Sequence, residues 1–149
     1  MPTGVQYTVL TLPQSAAVWH IVDQYLKLRR KVFVDRLSWS LGGDDQREYE
    51  EYDSGPYPHY VIAHKDGRTL AGTRLIRCDT EFGEGENKRS YMIRDAFLGR
   101  INLPKELWRD GVPPTDPQTW ELTRFVSITK DLEVARNILK ISQEYVARQ

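Results

Sequence analysis

A predicted β-hairpin near the middle of the chain constrains the fold more than any other feature. His59–His64 and Leu70–Arg77 are apolar-rich runs of strand length, and Asp66-Gly67 lies between them. An Asp-Gly pair in this position favours a tight two-residue turn, because both residues readily adopt a positive φ. The sequence therefore predicts two antiparallel strands joined by a turn.

Further strands and helices are predicted on both sides of the hairpin from apolar residues spaced at strand or helix periods. They are a strand at Val5–Leu12, a helix from about Ala16 to about Arg36 with Ser15 as N-cap, a strand at Trp120–Ile128, and a final helix capped by Asp131. Tyr91–Ile101 is predicted as either a short helix or irregular chain. This order is typical of an α/β domain with a largely antiparallel sheet flanked by helices.

Composition and charge exclude several classes of protein. The 149 residues suit one domain, and 21 basic against 21 acidic residues give no net charge, which argues against a dedicated nucleic-acid binder. Cys78 is the single cysteine, so an internal disulfide is excluded, and the three histidines lack the spacing of a zinc site, so no metal is expected. The sequence has no signal-peptide pattern and no apolar run of about 20 residues, so we expect a cytoplasmic protein without a membrane segment.

An acidic segment with interspersed tyrosines lies in the long loop before the hairpin. Its carboxylates and tyrosines are Glu48, Tyr49, Glu50, Glu51, Tyr52 and Asp53. One interpretation is a solvated charge run, which such segments usually are. The other is a pocket for a positively charged small molecule, with carboxylates holding ammonium or hydroxyl groups and tyrosines as walls. Trp39, just upstream, could seat a cation against its ring face.

Charged residues also occur inside predicted strands and on the first helix. Arg29, on the helix, is expected on a solvated face. Arg74 lies in an apolar strand, where its planar guanidinium suits a carboxylate of the protein or of a substrate. Glu121 and Arg124 are three residues apart in the last strand, which places them on opposite faces unless a bulge intervenes. In apolar surroundings Glu121 would have a raised pKa and could act as a general base.

The turn between the last strand and the last helix, Ser127–Asp131, contains no glycine, and neither does the rest of the chain after Gly111. Acetyl-coenzyme-A transferases of mixed α/β type place a glycine-rich turn here, whose backbone N–H groups grip the pyrophosphate. A cradle for the pyrophosphate of coenzyme A is therefore not expected in this chain.

As a set, these residues resemble the acyl-homoserine-lactone synthases, the LuxI-type autoinducer synthases of bacterial quorum sensing. The resemblance rests on Arg29-x3-Phe33-x5-Trp39, Glu50-x2-Asp53, Gly72-Thr-Arg74 and Glu121-x2-Arg124-Phe125, and it extends from about Tyr25 to the end of the chain. It implies an N-acetyltransferase-like fold, a three-layer α/β/α sandwich with a mixed, largely antiparallel sheet. Family members continue through further strands, so residues 1–149 are expected to form a single domain that lacks the C-terminal strands.

The resemblance also implies a reaction. An acyl group, delivered by acyl carrier protein or acyl-CoA, is joined to the amine of S-adenosylmethionine, and the methionyl carboxylate then closes a lactone. The implied catalytic residues are Glu121, Arg124 and Arg29, and the implied substrate-binding residues are Phe33, Trp39, Glu50, Asp53 and Arg74. Glu50 stands where the family usually has aspartate. S-adenosylmethionine is a substrate in this reaction, so no cofactor is expected.

Two alternatives stay open at the level of sequence. The chain could be a catalytically silent remnant that keeps an S-adenosylmethionine-binding module, or another N-acyltransferase that uses coenzyme A, against which the missing glycine turn counts. Analysis of the products formed from S-adenosylmethionine and acyl donors separates these alternatives. An uncovered edge on the strand Trp120–Ile128, together with the apolar side of the final helix, further predicts self-association.

Overall fold

A computed structural model describes residues 4–13 and 16–149. Within these residues four strands form one sheet in the order β1-β2-β3-β4, and all three neighbouring pairs are antiparallel. The strands are β1 (Gln6–Thr11), β2 (His59–Lys65), β3 (Arg68–Arg77) and β4 (Trp120–Ser127). Each of the four strands predicted from the sequence is present, within a few residues of its predicted ends.

The predicted hairpin is confirmed, and it joins β2 to β3. Lys65 pairs with Arg68, so Asp66 and Gly67 form a two-residue loop with φ of 50° and 75°. Positive φ at both positions is the conformation of the type I′ turn, whose twist matches that of the strands it joins.

In the part of the chain that the structure describes, three α-helices accompany the sheet: α1 (Trp19–Arg29), α2 (Met92–Phe97) and α3 (Leu132–Ala147). The long helix predicted from about Ala16 to about Arg36 is confirmed in extent but is not uniform. A 3-10 turn at Ala16–Val18 precedes α1, and a π-helical segment at Arg30–Arg36 follows it. Such wider turns occur frequently at functional sites. The predicted N-cap Ser15 lies outside the described residues.

The two long helices cover opposite faces of the sheet and create three layers. Alternate residues of β2 point to the two faces, so Tyr60 and Ile62 pack with α1 while Val61 and Ala63 pack with α3. The last helix starts as predicted, because the side chain of Asp131 accepts a hydrogen bond of 3.0 Å from the N–H of Glu133. Within the described residues, no helix is both long and apolar enough to span a membrane.

A close approach between α1 and β3 shapes the neighbouring strand. A Cβ added to Gly72 would lie 2.6 Å from the ring of Tyr25, so only glycine lets the tyrosine lie across the strand. The Tyr25 hydroxyl then donates a 2.7 Å hydrogen bond to the backbone carbonyl of Arg124. At this point β4 bulges, because Gly72 pairs with Val126 but Arg74 pairs with Thr123. The bulge between these pairs sets the direction of Arg124, which has a φ of 54°.

Candidate functional site

A network of three arginines and three carboxylates lies on the α1 side of the sheet. Its first arginine, Arg29, is fully buried at the end of α1. Its Nε donates to Glu48 Oε1 at 2.8 Å, while Nη1 and Nη2 donate to the two oxygens of Asp53 at 2.8 and 2.9 Å. The expectation of a solvated Arg29 is therefore wrong, because this side chain is enclosed by the acidic segment that follows it.

The second arginine, Arg74, is fully buried in the middle of β3. Its Nη2 donates to Glu50 Oε1 at 2.6 Å, and its Nη1 lies 3.1 Å from Asp53 Oδ2. Nη2 also lies 3.1 Å from the hydroxyl oxygen of Thr123 on β4. The expected pairing of Arg74 with a carboxylate is confirmed, and the partners come from the protein itself.

The third arginine, Arg124, projects from the bulge of β4. Its Nε donates to Glu48 Oε1 and its Nη2 to Glu50 Oε2, both at 3.0 Å. A regular strand would put Glu121 and Arg124 on opposite faces of the sheet. The bulge interrupts this alternation, so the two side chains are not held to opposite faces. Arg124 is paired with Glu48 and Glu50.

Arg29 and Arg74 control the ionisation of Asp53. Burial opposes the charged form of Asp53, but the charges of Arg29 and Arg74 and the hydrogen bonds from Arg29 outweigh it and hold the pKa of Asp53 well below its usual range. The backbone N–H of Glu50 also donates to Asp53 at 3.0 Å, which closes the 3-10 turn at Glu51–Asp53. The segment is therefore a folded half of the network that contains an ionised Asp53, rather than a solvated charge run.

The acidic segment differs in detail from the pocket expected from the sequence. Glu48 and Asp53 are nearly or fully buried against arginines, whereas the side chain of Glu50 keeps 20% of its surface exposed. Glu50 is therefore the member of this trio most accessible to an external ammonium group. Tyr52 is buried and does not line an open wall, because its hydroxyl donates to Asp95 at 2.7 Å.

Glu121 lies beside the network on β4 and is buried. Its two oxygens accept hydrogen bonds from the backbone N–H groups of Met92, at 3.2 Å, and Ile93, at 2.8 Å. Burial raises the pKa of Glu121, while the two amides and the charge of Arg74 oppose the rise. A carboxylate offers about four acceptor positions, so two amides leave it able to accept a further proton or hydrogen bond.

An aromatic pair lies one helical turn beyond Arg29. The rings of Phe33 and Trp39 stack with centroids 4.8 Å apart and planes 5° from parallel. Phe33 is buried, whereas Trp39 is 48% exposed. Phe33 thus supports one face of an indole that is accessible from solvent.

Three residues that contact the charged groups of the site, Glu48, Tyr60 and Thr123, are not among the site residues that the family resemblance implies. Glu48 accepts from both Arg29 and Arg124, and the Tyr60 hydroxyl donates to Asp53 at 2.8 Å. Thr123 supports Arg74. The available signal for Glu48 was its place in the acidic segment, but nothing in the sequence distinguished it from the exposed Glu51.

Cavities lie around the sheet, and they differ in whether they reach the residues of the network. A cavity of about 250 Å³ reaches Asp53 and Tyr60 and is bordered by Trp19 and Tyr49. Tyr49 therefore lines a cavity that reaches the network. A larger one, of about 460 Å³, includes Trp120 but none of the site residues predicted from the sequence. Within residues 4–13 and 16–149, no cluster of histidine, cysteine and acidic side chains is suited to hold a metal ion.

The fold is shared with solved structures of one class of protein. The three-layer arrangement is the N-acetyltransferase-like fold, here in the form found in acyl-homoserine-lactone synthases. The solved structure of BjaI, a CoA-dependent acyl-homoserine lactone synthase with SAM and isopentyl-CoA, matches with a TM-score of 0.71 and 19% identity. The match covers 97% of this chain and 62% of that chain, and at this identity it shows the fold alone.

Sequence comparison shows the family. The profile of the autoinducer synthases matches residues 15–149, and the chain belongs to this family. An acyl-homoserine-lactone synthase of Ralstonia solanacearum is 33% identical over 101 residues, which cover 66% of this chain and 42% of the relative. One of Vibrio anguillarum is 32% identical over 125 residues, which cover 84% and 53%. The chain thus spans about half the length of the curated relatives it matches.

Proposed function

We propose that the chain carries the S-adenosylmethionine site and the acyl-transfer site of an acyl-homoserine-lactone synthase that makes a quorum-sensing signal. One observation carries the proposal: the alternating network of arginines and carboxylates lies beside a buried Glu121 in a chain of the autoinducer synthase family. The network supplies fixed positive and negative groups, and Glu121 supplies a proton acceptor. Both are needed to bind and then deprotonate a zwitterionic substrate.

S-adenosylmethionine carries a sulfonium, an ammonium and a carboxylate, and the site offers a counterpart to each. The exposed face of Trp39 suits the sulfonium, because aromatic faces attract ligand cations, and Phe33 holds the indole in place. The partly exposed carboxylate of Glu50 suits the ammonium. The guanidinium of Arg124, whose side chain is the most exposed among the arginines of the network, suits the carboxylate. The buried Arg74, Arg29 and Asp53 hold the network in place beneath it.

Acyl transfer requires the amine to lose a proton before it attacks. In the proposed mechanism the carboxylate of Glu121 takes this proton, directly or through a water molecule, and the amine nitrogen forms a bond to the thioester carbon. The carbon–sulfur bond of the thioester breaks, and the departing thiolate takes up the second proton, which the nitrogen loses as the amide forms. The raised pKa of Glu121 supports its role, since a base whose pKa lies closer to neutrality accepts a proton more readily.

Lactone formation follows within the acylated product. An oxygen of the methionyl carboxylate attacks the γ-carbon, the bond from this carbon to the sulfonium breaks, and neutral methylthioadenosine leaves with the electron pair. No external oxidant or reductant is required. Arg124, which Glu48 and Glu50 hold, has the most exposed side chain of the three arginines in the network. We assign it to steady the methionyl carboxylate while the lactone ring closes.

The acyl donor is proposed to be acyl carrier protein, with acyl-CoA as the alternative. The turn Ser127–Asp131 has no glycine, and the side chain of Asp131 already caps the N–H of Glu133 at the start of α3. A carboxylate at this position repels a pyrophosphate, which would otherwise bind the same N–H groups. A phosphopantetheine arm on a carrier protein has no pyrophosphate to accommodate.

The proposal includes a cytoplasmic location, no nucleic-acid or membrane partner, and self-association. The last of these rests on β4, which is an edge strand of the sheet, and on exposed apolar residues near it. Leu122 of β4 is 38% exposed and Leu139 of α3 is 43% exposed. Unpaired strand edges with apolar neighbours favour pairing with another chain.

Product analysis tests the proposed function. The 149-residue chain is incubated with S-adenosylmethionine and a mixture of acyl carrier proteins bearing chains of different length, and in parallel with the matching acyl-CoA thioesters. Mass spectrometry then measures acyl-homoserine lactone and methylthioadenosine. Formation of both products supports the proposal, and the preferred donor identifies the partner. If the chain binds S-adenosylmethionine but forms no product, the alternative of a catalytically silent binding module is supported instead. Absence of binding contradicts the proposal.

A further inference from the structure

A second buried carboxylate lies outside the arginine network, on the short helix α2. Asp95 is fully buried, and it accepts three kinds of donor. The Tyr52 hydroxyl donates to it at 2.7 Å, the Ser90 N–H at 2.9 Å, and Nη1 of Arg100 at 2.9 Å. A buried carboxylate with this many donors is held in one orientation, and in turn it holds the groups that donate to it.

Tyr52 connects Asp95 to the arginine network. It lies within the 3-10 turn Glu51–Asp53, directly before the carboxylate that binds Arg29 and Arg74. The ring of Tyr52 also lies against the Arg74 guanidinium, with the guanidinium carbon 5.7 Å from the ring centroid. The hydrogen bond to Asp95 therefore fixes a ring that supports the central arginine of the site.

The Ser90 N–H connects Asp95 to Glu121 through the start of α2. The bond from the Ser90 N–H fixes the chain where it enters α2, two residues before Met92. The N–H groups of Met92 and Ile93 are those that bind the two oxygens of Glu121. The sulfur of Met92 also lies 3.3 Å from Nη2 of Arg74, so α2 contacts both halves of the site.

We propose that Asp95 is a positioning residue for the proposed acyl transfer. By holding Tyr52 on one side and the start of α2 on the other, it sets the distance between the network that binds S-adenosylmethionine and the carboxylate that deprotonates it. Catalytic groups lose effect when they are misplaced by about 1 Å, so a rigid connection between the two halves has a direct consequence for rate. The inference rests on the proposed function for its chemistry and on the described contacts for its geometry.

The test uses two conservative variants and a matched control for each. Asp95→Asn leaves one acceptor oxygen for three donors, and its control is Asp116→Asn, which removes a carboxylate that accepts from Gln118 and Thr119 outside the site. Tyr52→Phe removes only the hydroxyl, and its control is Tyr7→Phe, whose hydroxyl contacts Asn137 on the α3 side. These substitutions change few atoms, so all four variants are expected to fold.

Two measurements are made on each folded variant. Amide hydrogen exchange compares Met92 and Ile93 with the amides of β2, and calorimetry gives the dissociation constant for S-adenosylmethionine. In Asp95→Asn, exchange at Met92 and Ile93 should accelerate about fivefold or more relative to β2, and affinity should fall about fivefold. Tyr52→Phe should weaken affinity by a similar factor and leave exchange at α2 nearly unchanged. Both controls should match the unmodified chain.

Three outcomes overturn the positioning role. They are unchanged exchange at Met92 and Ile93 in Asp95→Asn, an equal acceleration throughout the sheet, and unchanged affinity for S-adenosylmethionine in both site variants. The exchange measurement needs no ligand, so it separates this inference from the proposed function. If the unmodified chain fails to bind S-adenosylmethionine, the proposed function is contradicted, while the exchange data still decide whether Asp95 holds α2 against Glu121.

Discussion

The Tyr25 hydroxyl donates a 2.7 Å hydrogen bond to the backbone carbonyl of Arg124, and this bond joins α1 to the bulge of β4. The tyrosine reaches the bulge because Gly72 leaves room for its ring. The bulge in turn places the Arg124 side chain against Glu48 and Glu50. A packing contact between a helix and a strand thus fixes the direction of a charged side chain in the site.

The buried arginine at the end of α1 is predicted to be essential for stability. In Arg29→Leu, Glu48 and Asp53 lose their closest partner while remaining buried, so the free energy of unfolding should fall by about 3–5 kcal/mol. Chemical denaturation measures this change. The control is Arg77→Leu, because Arg77 pairs with Asp79 on the surface and its loss should cost less than about 1 kcal/mol. Similar losses in the two variants would contradict the assigned role of Arg29.

Glu121→Gln is predicted to lower turnover far more than stability. The amide keeps an acceptor for one of the two N–H groups of α2 but cannot take a proton, and loss of a general base lowers kcat by about 10²–10⁴-fold. Steady-state kinetics with S-adenosylmethionine and the preferred acyl donor measure kcat, and Glu133→Gln, on the first turn of α3, serves as the control. Full activity in Glu121→Gln would assign deprotonation to another group or to solvent.

Glu121 also predicts how kcat/KM falls on the acid side of its pH profile. Protonated Glu121 cannot accept a proton, so kcat/KM should fall as the pH drops through its pKa. Because burial raises this pKa, the midpoint should lie above the ordinary range for glutamate. This fall on the acid side should disappear in Glu121→Gln, and its persistence would show that another group titrates.

Asp53, whose pKa is shifted in the opposite direction to that of Glu121, predicts how stability depends on pH. Its pKa is lower in the folded chain than in the unfolded chain, so its contribution to stability is present above about pH 4 and is lost as the pH falls toward the folded value. Urea unfolding between pH 3 and 7 should show a decrease at the acid end. Asp53→Asn should be less stable at neutral pH and show a shallower decrease, whereas an unchanged slope would mean that other carboxylates cause it.

The central elements of the fold could be predicted from the sequence because their signals are local. The Asp66-Gly67 turn and the N-cap Asp131 each act through their own backbone and near neighbours, and both are present as predicted. The π-helical segment at Arg30–Arg36 was not predictable in this way. Apolar spacing indicates that a helix continues, but it does not distinguish a wider turn from an α-helical one.

The geometry of the site depended on two irregular strand pairings that the sequence does not reveal. From the turn alone, Tyr60 would pair with Thr73, but a shift between Ala63 and His64 pairs it with Arg74 instead. The bulge of β4 similarly redirects Arg124. A one-residue shift reverses which face a side chain occupies, so the residue types were predictable whereas their partners were not.

Self-association is predicted from the edge of the sheet. Leu122 on β4 and Leu139 on α3 remain exposed, so the chain should form dimers or larger species as its concentration rises. Sedimentation and light scattering over a range of concentrations measure this behaviour. Leu139→Lys should shift the equilibrium toward monomer, with Lys140→Ala on the same helix as the control. A monomer at all concentrations would contradict this expectation.

Calorimetric titration with S-adenosylmethionine tests the central claim most directly, and two tryptophans sharpen it. Trp39 stacks on Phe33 in the proposed site and is 48% exposed, whereas Trp120 packs against His59 and Tyr145 on the α3 side of the sheet. We predict that the unmodified chain binds S-adenosylmethionine, that Trp39→Ala weakens binding about tenfold or more, and that Trp120→Phe changes it less than twofold. Absence of binding, or equal affinity in the two variants, would contradict the account.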